Sequence, residues 1–224
     1  MSTAGTRMPV VALVSGRGSN LRAISERAHA GDPPVEVRAV VSDRENAAGI
    51  EWARAFGLNC ATLLPKGFPD RDRYDAALAA LVAGFEPELV ILAGFMRILG
   101  PAFVDRFEGR TLNIHPSLLP RHRGLHTHRR VLEAGEREHG ASVHFVTREL
   151  DGGPVVLQAR VPVRDDDDEA SLAARVLEQE HRIYPQAVAW FATGRLRYAD
   201  GAAWLDGRRL DEPVVLEATP DDTA

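Results

Sequence analysis

The sequence predicts an α/β fold, an open and mostly parallel twisted sheet with helices on both faces. Three observations predict it. Short apolar runs recur along the chain, and most are apolar at every position, as expected of strands buried on both faces. Stretches of helical periodicity separate most of these runs, and strand–helix alternation builds parallel sheets. The 224 residues are 45% hydrophobic, which suffices for one large core.

The elements follow in order. Strands are expected at Val10–Val14, Val35–Val41, Ala61–Leu64, Leu89–Ala93 and Thr111–Ile114. Helices are expected at Leu21–Ala30, Ala47–Phe56 and Arg71–Phe85, the last with Tyr74, Leu78, Leu81, Val82 and Phe85 on one stripe and Gly84 and Pro87 at its end. After His115 the pattern changes to a Pro-, His- and Arg-rich loop as far as His126, then a short helix at Thr127–Ala134. Strands at Ala141–Val146 and Val155–Val163 flank a turn at Asp151-Gly152-Gly153-Pro154. The acidic run Asp165–Glu169 reads as a solvated loop entering a long helix, Ser171–Phe191, with a bend at Pro185. Leu196–Leu210 reads as a small C-terminal hairpin around Asp206-Gly207. The reading is one domain over residues 1–224, with an ordered core from about residue 10 to about 210 and a loose tail over 211–224.

Composition excludes several classes. Lys and Arg number 27 against 32 Asp and Glu, a net charge of −5, which argues against a broad surface for nucleic acid or anionic membrane. No apolar run is long enough for a bilayer span, and the N-terminus lacks a secretory pattern. The single cysteine, Cys60, fits a reducing compartment and a structural role, so a cytoplasmic location is expected.

Four constellations could carry chemistry. Ser15-Gly16-Arg17-Gly18-Ser19-Asn20 follows the first strand and opens a helix, so its glycines and free N–H groups suit an anion. It lacks the third glycine of a dinucleotide fingerprint, where Leu21 stands, although Asp43 mimics the ribose-binding acid; a monophosphate is preferred, and a plain tight turn is the alternative. Asn113 and His115 project from one face at the carboxyl end of a strand, where open α/β sheets bind ligands; a hydrogen-bonded core histidine is the alternative. Asp151 sits in a glycine turn that is equally explained as a turn alone. Glu180 falls in line with the apolar stripe of Leu172, Val176, Ile183, Ala187 and Phe191, so it is paired, ligands something or lies at the rim. His115, His122, His126 and His128 come without a His-Glu-x-x-His or a cysteine cluster, so no metal is expected. Gly140–His144 lacks the final glycine of a nucleophile elbow.

Together with Leu92–Leu99, Leu112–Pro120, Gly124–His128, Val143–Val146, Asp151–Pro154 and Gln179–His181, the Ser15–Leu21 loop resembles the phosphoribosylglycinamide formyltransferase family, folate-dependent enzymes of purine synthesis. The similarity runs from about Val10 to about Leu210. One stretch departs: the family usually carries an aromatic between Pro120 and Gly124, and this chain has Arg121-His122-Arg123, closer to methionyl-tRNA formyltransferase. That relative carries a basic C-terminal domain, and the formyl-folate hydrolase carries a regulatory domain before the first strand. Neither extra domain is expected here. A non-catalytic folate- or phosphate-binding protein is the remaining alternative, disfavoured by the intact Asn113, His115 and Asp151 set.

The resemblance implies a Rossmann-like formyltransferase fold and specific roles. It implies Asn113, His115 and Asp151 as the catalytic group, with Asp151 favouring a protonated His115. It implies Gly18, Ser19, Asn20 and Glu180 as binders of phosphoribosylglycinamide. For 10-formyltetrahydrofolate it implies Arg71, Met96, Arg97, Ile98, Leu99, Asn113, Thr147, Arg148, Glu149, Leu150 and Asp151. The expected partners are small-molecule substrates, with neither nucleic acid nor membrane, and the oligomeric state is left open between monomer and homodimer.

Overall fold

The computed structural model describes residues 7–216. The chain divides after Thr111 into two compact units.

The first unit is built on β1 (Met8–Val14), β2 (Val35–Ser42), β3 (Cys60–Thr62) and β4 (Leu89–Leu92). They lie in the order β3-β2-β1-β4, and every pairing is parallel. All seven residues of β1 are buried, which is why its sequence is apolar at successive positions rather than alternating. β3 is half-buried throughout, as an outermost strand covered less completely. Helices α1 (Ser19–His29) and α2 (Ala48–Ala55) both pack against β2. In α3 (Arg71–Ala83), Asp70 caps the first turn by accepting from Arg73 N–H, and Tyr74, Leu78 and Val82 are buried on one stripe. Leu81 and Phe85, expected on the same stripe, are only half-buried. A 3₁₀ turn at Pro65–Gly67 and the four-residue α4 (Pro101–Val104) have too little sequence period to be foreseen.

The second unit is built on β5 (Thr111–His115, of which Leu112 onward belongs here), β6 (Glu138–Phe145), β7 (Val155–Pro162) and β11 (Val214–Leu216). Here the pairing is mixed: β5–β6 and β6–β7 are antiparallel, β7–β11 parallel. Short α5 (Thr127–Glu133) lies between β5 and β6, and α6 (Glu169–Ala192) packs on β6 and β7. α6 starts with a capping box in which Asp168 and Ser171 satisfy each other's backbone N–H, and Leu172, Val176, Ile183 and Ala187 form its buried stripe. Burying Leu172, Val176 or Ile183 contributes about 1.5–3 kcal/mol each. Pro185 sits inside the helix, which runs on through it.

Two expectations about this unit are corrected and a third is extended. Asp167 is not a solvated member of the acidic run, because its carboxylate turns inward, accepts hydrogen bonds from Arg164 N–H and Ser171 Oγ, and pairs with Arg175. The expected C-terminal hairpin is present and carries one strand more, as an antiparallel sheet of β8 (Leu196–Ala199), β9 (Ala202–Leu205) and β10 (Arg208–Arg209). Its two turns, Asp200-Gly201 and Asp206-Gly207, both have positive φ at both residues, as tight two-residue hairpin turns require; the expected turn is the second of them. Residues 214–216 of the expected tail form β11, and 217–224 lie outside the described residues.

Candidate active site

Asn113 and His115 stand on alternate positions of β5, and the antiparallel register sets them opposite His144 and Ser142 of β6. Asp151 comes from the turn between β6 and β7. The two glycines after Asp151 have separate steric reasons. A Cβ on Gly153 would stand 1.9 Å from the Phe145 carbonyl oxygen, and one on Gly152 would strike the Glu149 side chain. Pro154 then accepts a 3.0 Å hydrogen bond from Phe145 N–H, closing the turn against the end of β6. Asp151 itself has φ 48°, a left-handed conformation uncommon outside glycine but tolerated by Asp and Asn. Its Oδ2 accepts from Gly124 N–H at 2.9 Å and lies 3.5 Å from His115 Nδ1.

The three residues therefore converge, and His144 joins them. Its Nδ1 donates to the Phe145 carbonyl at 2.9 Å, because a carbonyl can only accept. Its Nε2 therefore accepts from the Asn113 side-chain NH₂ at 3.0 Å. Asp151 Oδ1 lies 3.8 Å from that Nε2, beyond hydrogen-bond reach. Burial depresses the His144 pKa to about 4, against a partial opposing effect of the Phe145 carbonyl and the Asp151 charge, so the ring is neutral at physiological pH. A neutral ring with a fixed tautomer fixes the Asn113 amide. One N–H is committed to His144, leaving a second donor. His115, 7% exposed, is fixed likewise: its Nε2–H donates to the His122 carbonyl at 3.0 Å, and Nδ1 is the nitrogen that faces Asp151.

The sequence pattern assigns His144 no role of its own, only a place within Val143–Val146. The signal was present: Ser142 and His144 alternate with Ala141, Val143 and Phe145, which puts two polar side chains on one face of a buried strand. What the sequence lacked was the register that sets that face opposite Asn113.

The remaining candidates lie as follows. In the second unit, Glu180 is buried at 8% exposure midway along α6, so the alternative of a rim position is excluded. Thr147–Asp151 form the bend before the glycines, with Leu150 exposed at 46% and Glu149 paired with Arg123. In the first unit, Gly18 is the left-handed N-cap of α1, at φ 72°, with no side-chain cap; the helix's first hydrogen bond runs from Arg22 N–H to its carbonyl. A Cβ there would stand 2.6 Å from Gly49 Cα, so glycine is required twice over. Ser19 and Asn20 follow in the first turn of the helix. Arg71 donates to the Ile98 carbonyl at 2.6 Å, and Arg97 lies 4.8 Å over the Tyr74 ring, so Arg71 and the Met96–Leu99 segment come together. Met96 and Ile98 are 63% and 53% exposed, whereas Leu99 is buried. Burial and the Asp43 charge push the Tyr74 pKa up to about 12. Asp43 lines a recess of about 550 Å³ with Arg44, Glu45, Asn46 and Leu64–Lys66.

The other histidines form no metal centre. Among the described residues no group of three or more His, Cys, Asp or Glu side chains is placed to hold a metal ion. His139, 1% exposed, has its Nε2 2.9 Å from His128 Nδ1, and burial pulls both pKa values below the usual imidazole range, that of His139 to about 3. Cys60 is half-buried, and burial raises its pKa, which makes it a poor nucleophile.

Comparison with known proteins places these features in context. The model of the family described as Formyl transferase matches residues 8–188. The phosphoribosylglycinamide formyltransferase of Escherichia coli (strain K12) is 54% identical over 203 residues, covering 91% of this chain and 96% of that one. Its counterpart from Haemophilus influenzae is 44% identical over 90% of this chain and 95% of that protein. The solved structure of phosphoribosylglycinamide formyltransferase from Coxiella burnetii, in complex with CHES, superposes with a TM-score of 0.90 at 43% identity, covering 93% of this chain and 99% of that one.

Proposed function

Because the chain belongs to the phosphoribosylglycinamide formyltransferase family, enzymes of purine biosynthesis, we propose that it moves the formyl group of 10-formyltetrahydrofolate to the primary amine of N1-(5-phosphoribosyl)glycinamide through Asn113, His115 and Asp151. The observation that carries the residue assignment is the convergence of an amide, an imidazole and a carboxylate, each oriented by a further hydrogen bond: Asn113 by His144, His115 by His122 and Asp151 by Gly124.

The chemistry follows from those orientations. The amine attacks the formyl carbon and a tetrahedral oxyanion develops. The second N–H of Asn113 and the Nδ1–H of protonated His115 stabilise it, the usual largest contribution in acyl transfer. His115 works at Nδ1 because Nε2–H is committed to a carbonyl that can only accept. Asp151 Oδ2 lies 3.5 Å from Nδ1, so an amine or water beside the pair is within hydrogen-bond reach of both. It relays the proton lost by the amine, which ends on N10 of the departing tetrahydrofolate. No step requires a metal.

The binding roles rest on side-chain chemistry and on one helix end. The left-handed Gly18 opens the start of α1, so Gly18, Ser19 and Asn20 hold the substrate phosphate at a helix N-terminus. Glu180, a carboxylate on an otherwise apolar stripe, contacts the same substrate. Arg71 and Arg97 supply charge for the folate carboxylates, beside the uncovered side chains of Met96 and Ile98 and near Leu99. Asn113 and Thr147–Asp151, with the exposed Leu150, face the same co-substrate.

The test is a transfer assay with both substrates and a water-only control. Amine-dependent deformylation is expected. Deformylation at the same rate without the amine would assign the chain to hydrolysis instead.

A further inference from the structure

Between β5 and α5, at Arg121-His122-Arg123, the backbone is strained. His122 has φ 53°, a left-handed conformation that a non-glycine residue adopts only when its surroundings hold it there. The consequence of that conformation is local and specific: the His122 carbonyl meets His115 Nε2 at 3.0 Å. The backbone on either side is tied by Ser117 Oγ, which donates to the Arg121 carbonyl at 2.7 Å, and by Arg130 Nη1, which donates to the Arg123 carbonyl at 2.7 Å; between them one carboxylate clasps the side chains of Arg121 and His122. Glu136 Oε1 accepts from His122 Nε2–H at 2.6 Å, and Glu136 Oε2 accepts from Arg121 Nη1 at 2.7 Å. Glu136 is itself fixed by its backbone N–H, which donates at 3.2 Å to the carbonyl of the fully buried Val131 in α5. His122 and Glu136 are largely enclosed, at 13% and 23% side-chain exposure, whereas Arg121 is half exposed.

We propose that Glu136 is a positioning residue for His115: by clasping Arg121 and His122 it keeps the His122 carbonyl on His115 Nε2, and so leaves Nδ1 as the nitrogen that carries the working proton. The inference rests on the reading of His115 as a catalytic group, and goes beyond it by naming what selects the ring nitrogen. A histidine with both nitrogens unconstrained divides its neutral form between two tautomers, only one of which leaves Nδ1 facing Asp151 ready to take a proton. The clasp removes the wrong one. The half-exposed Arg121 arm adds little to stability, whereas the enclosed His122–Glu136 contact adds more, so melting does not isolate the clasp. Its specific readouts are the His115 tautomer and turnover.

The experiment compares the parent protein with Glu136→Ala, Glu136→Gln, His122→Asn and the Glu136→Ala/His122→Asn double variant. Asn tolerates the left-handed backbone but cannot reach Glu136, so it separates the clasp from the backbone conformation. Nitrogen-15 NMR of the neutral His115 ring reports the tautomer directly. Glu136→Ala is expected to mix the tautomers and to lower kcat by about 10- to 100-fold, the scale of a slightly misplaced catalytic group, with KM for both substrates within about two-fold. Glu136→Gln, which retains an acceptor, is expected to fall between. The double variant should be no worse than the poorer single one, because both substitutions break one contact. A His115 ring that stays Nε2–H in Glu136→Ala and in His122→Asn overturns the proposal, whatever turnover does. If the tautomers mix while kcat holds, the positioning stands and the catalytic assignment of His115 falls. Should Glu136→Ala fail to fold, Glu136→Gln and His122→Asn decide the same question.

Discussion

At the scale of single residues, the site divides its donors between holding and working. His115 and Asn113 each spend one N–H on a fixed acceptor and keep another position for the proposed reaction. His115→Ala should therefore remove transition-state stabilisation and leave the fold intact, lowering kcat by roughly 10²–10³, as for other lost oxyanion donors. Unchanged turnover in a folded variant, by stopped-assay kinetics and circular dichroism, would end the assignment. Asp151→Asn is the cleaner probe of charge, because Asn also tolerates the φ of 48° found there and can still accept from Gly124 N–H. Turnover should drop by at least roughly 10², the range of acid–base assistance. A variant with normal kcat would reduce Asp151 to a turn residue. Asn113, His115, Asp151 and Glu180 were legible in the sequence because each is a polar residue in an apolar pattern or beside a strand end. His144, His122 and Glu136 were not, because their importance depends on who stands opposite, and cross-strand register and loop path are tertiary facts.

Elements set these residues in place. The turn Asp151–Pro154 reverses the chain hard against the end of β6, and Gly153 is where no side chain fits. Gly153→Ala should force the turn away from the Phe145 carbonyl and cost about 1–3 kcal/mol of stability, the usual scale of overpacking. It should also reduce kcat, since Asp151 moves with the turn. A denaturant midpoint equal to that of the parent would show that the turn has slack. Most elements were legible from hydrophobic period alone: β1, β2, α3 and α6 all lie within a few residues of their expected ends. The exceptions share a cause. α4, the 3₁₀ turn and β11 are three or four residues long, too short to show a period, and the first hairpin turn, Asp200-Gly201, was masked by the stronger expectation at Asp206-Gly207.

For the molecule as a whole, the histidines tie stability to pH. Burial holds His128, His139 and His144 below the usual imidazole value, with His144 at about 4 and His139 at about 3. Below about pH 6.5 the unfolded chain binds more protons than the folded one, so stability falls as pH drops toward the folded-state values. The urea midpoint should therefore be lower at about pH 4.5 than at about pH 7, and His139→Gln, although less stable at neutral pH, should lose less over that interval. A variant with the parent's full pH dependence would remove His139 from the account.

β11 is only three residues long, yet it pairs along Leu157–Ala159 of β7 on the side that β6 does not cover. Without it, that flank of β7 would present unsatisfied backbone donors and acceptors to any passing extended segment. A protein shortened to end at Glu212 should fold and then associate with itself, increasingly with concentration, by strand addition on that exposed template. The last strand acts in that sense as a guard against aggregation. Tags or fusions placed at the C-terminus are best joined beyond Leu216 through a spacer that leaves this short pairing undisturbed.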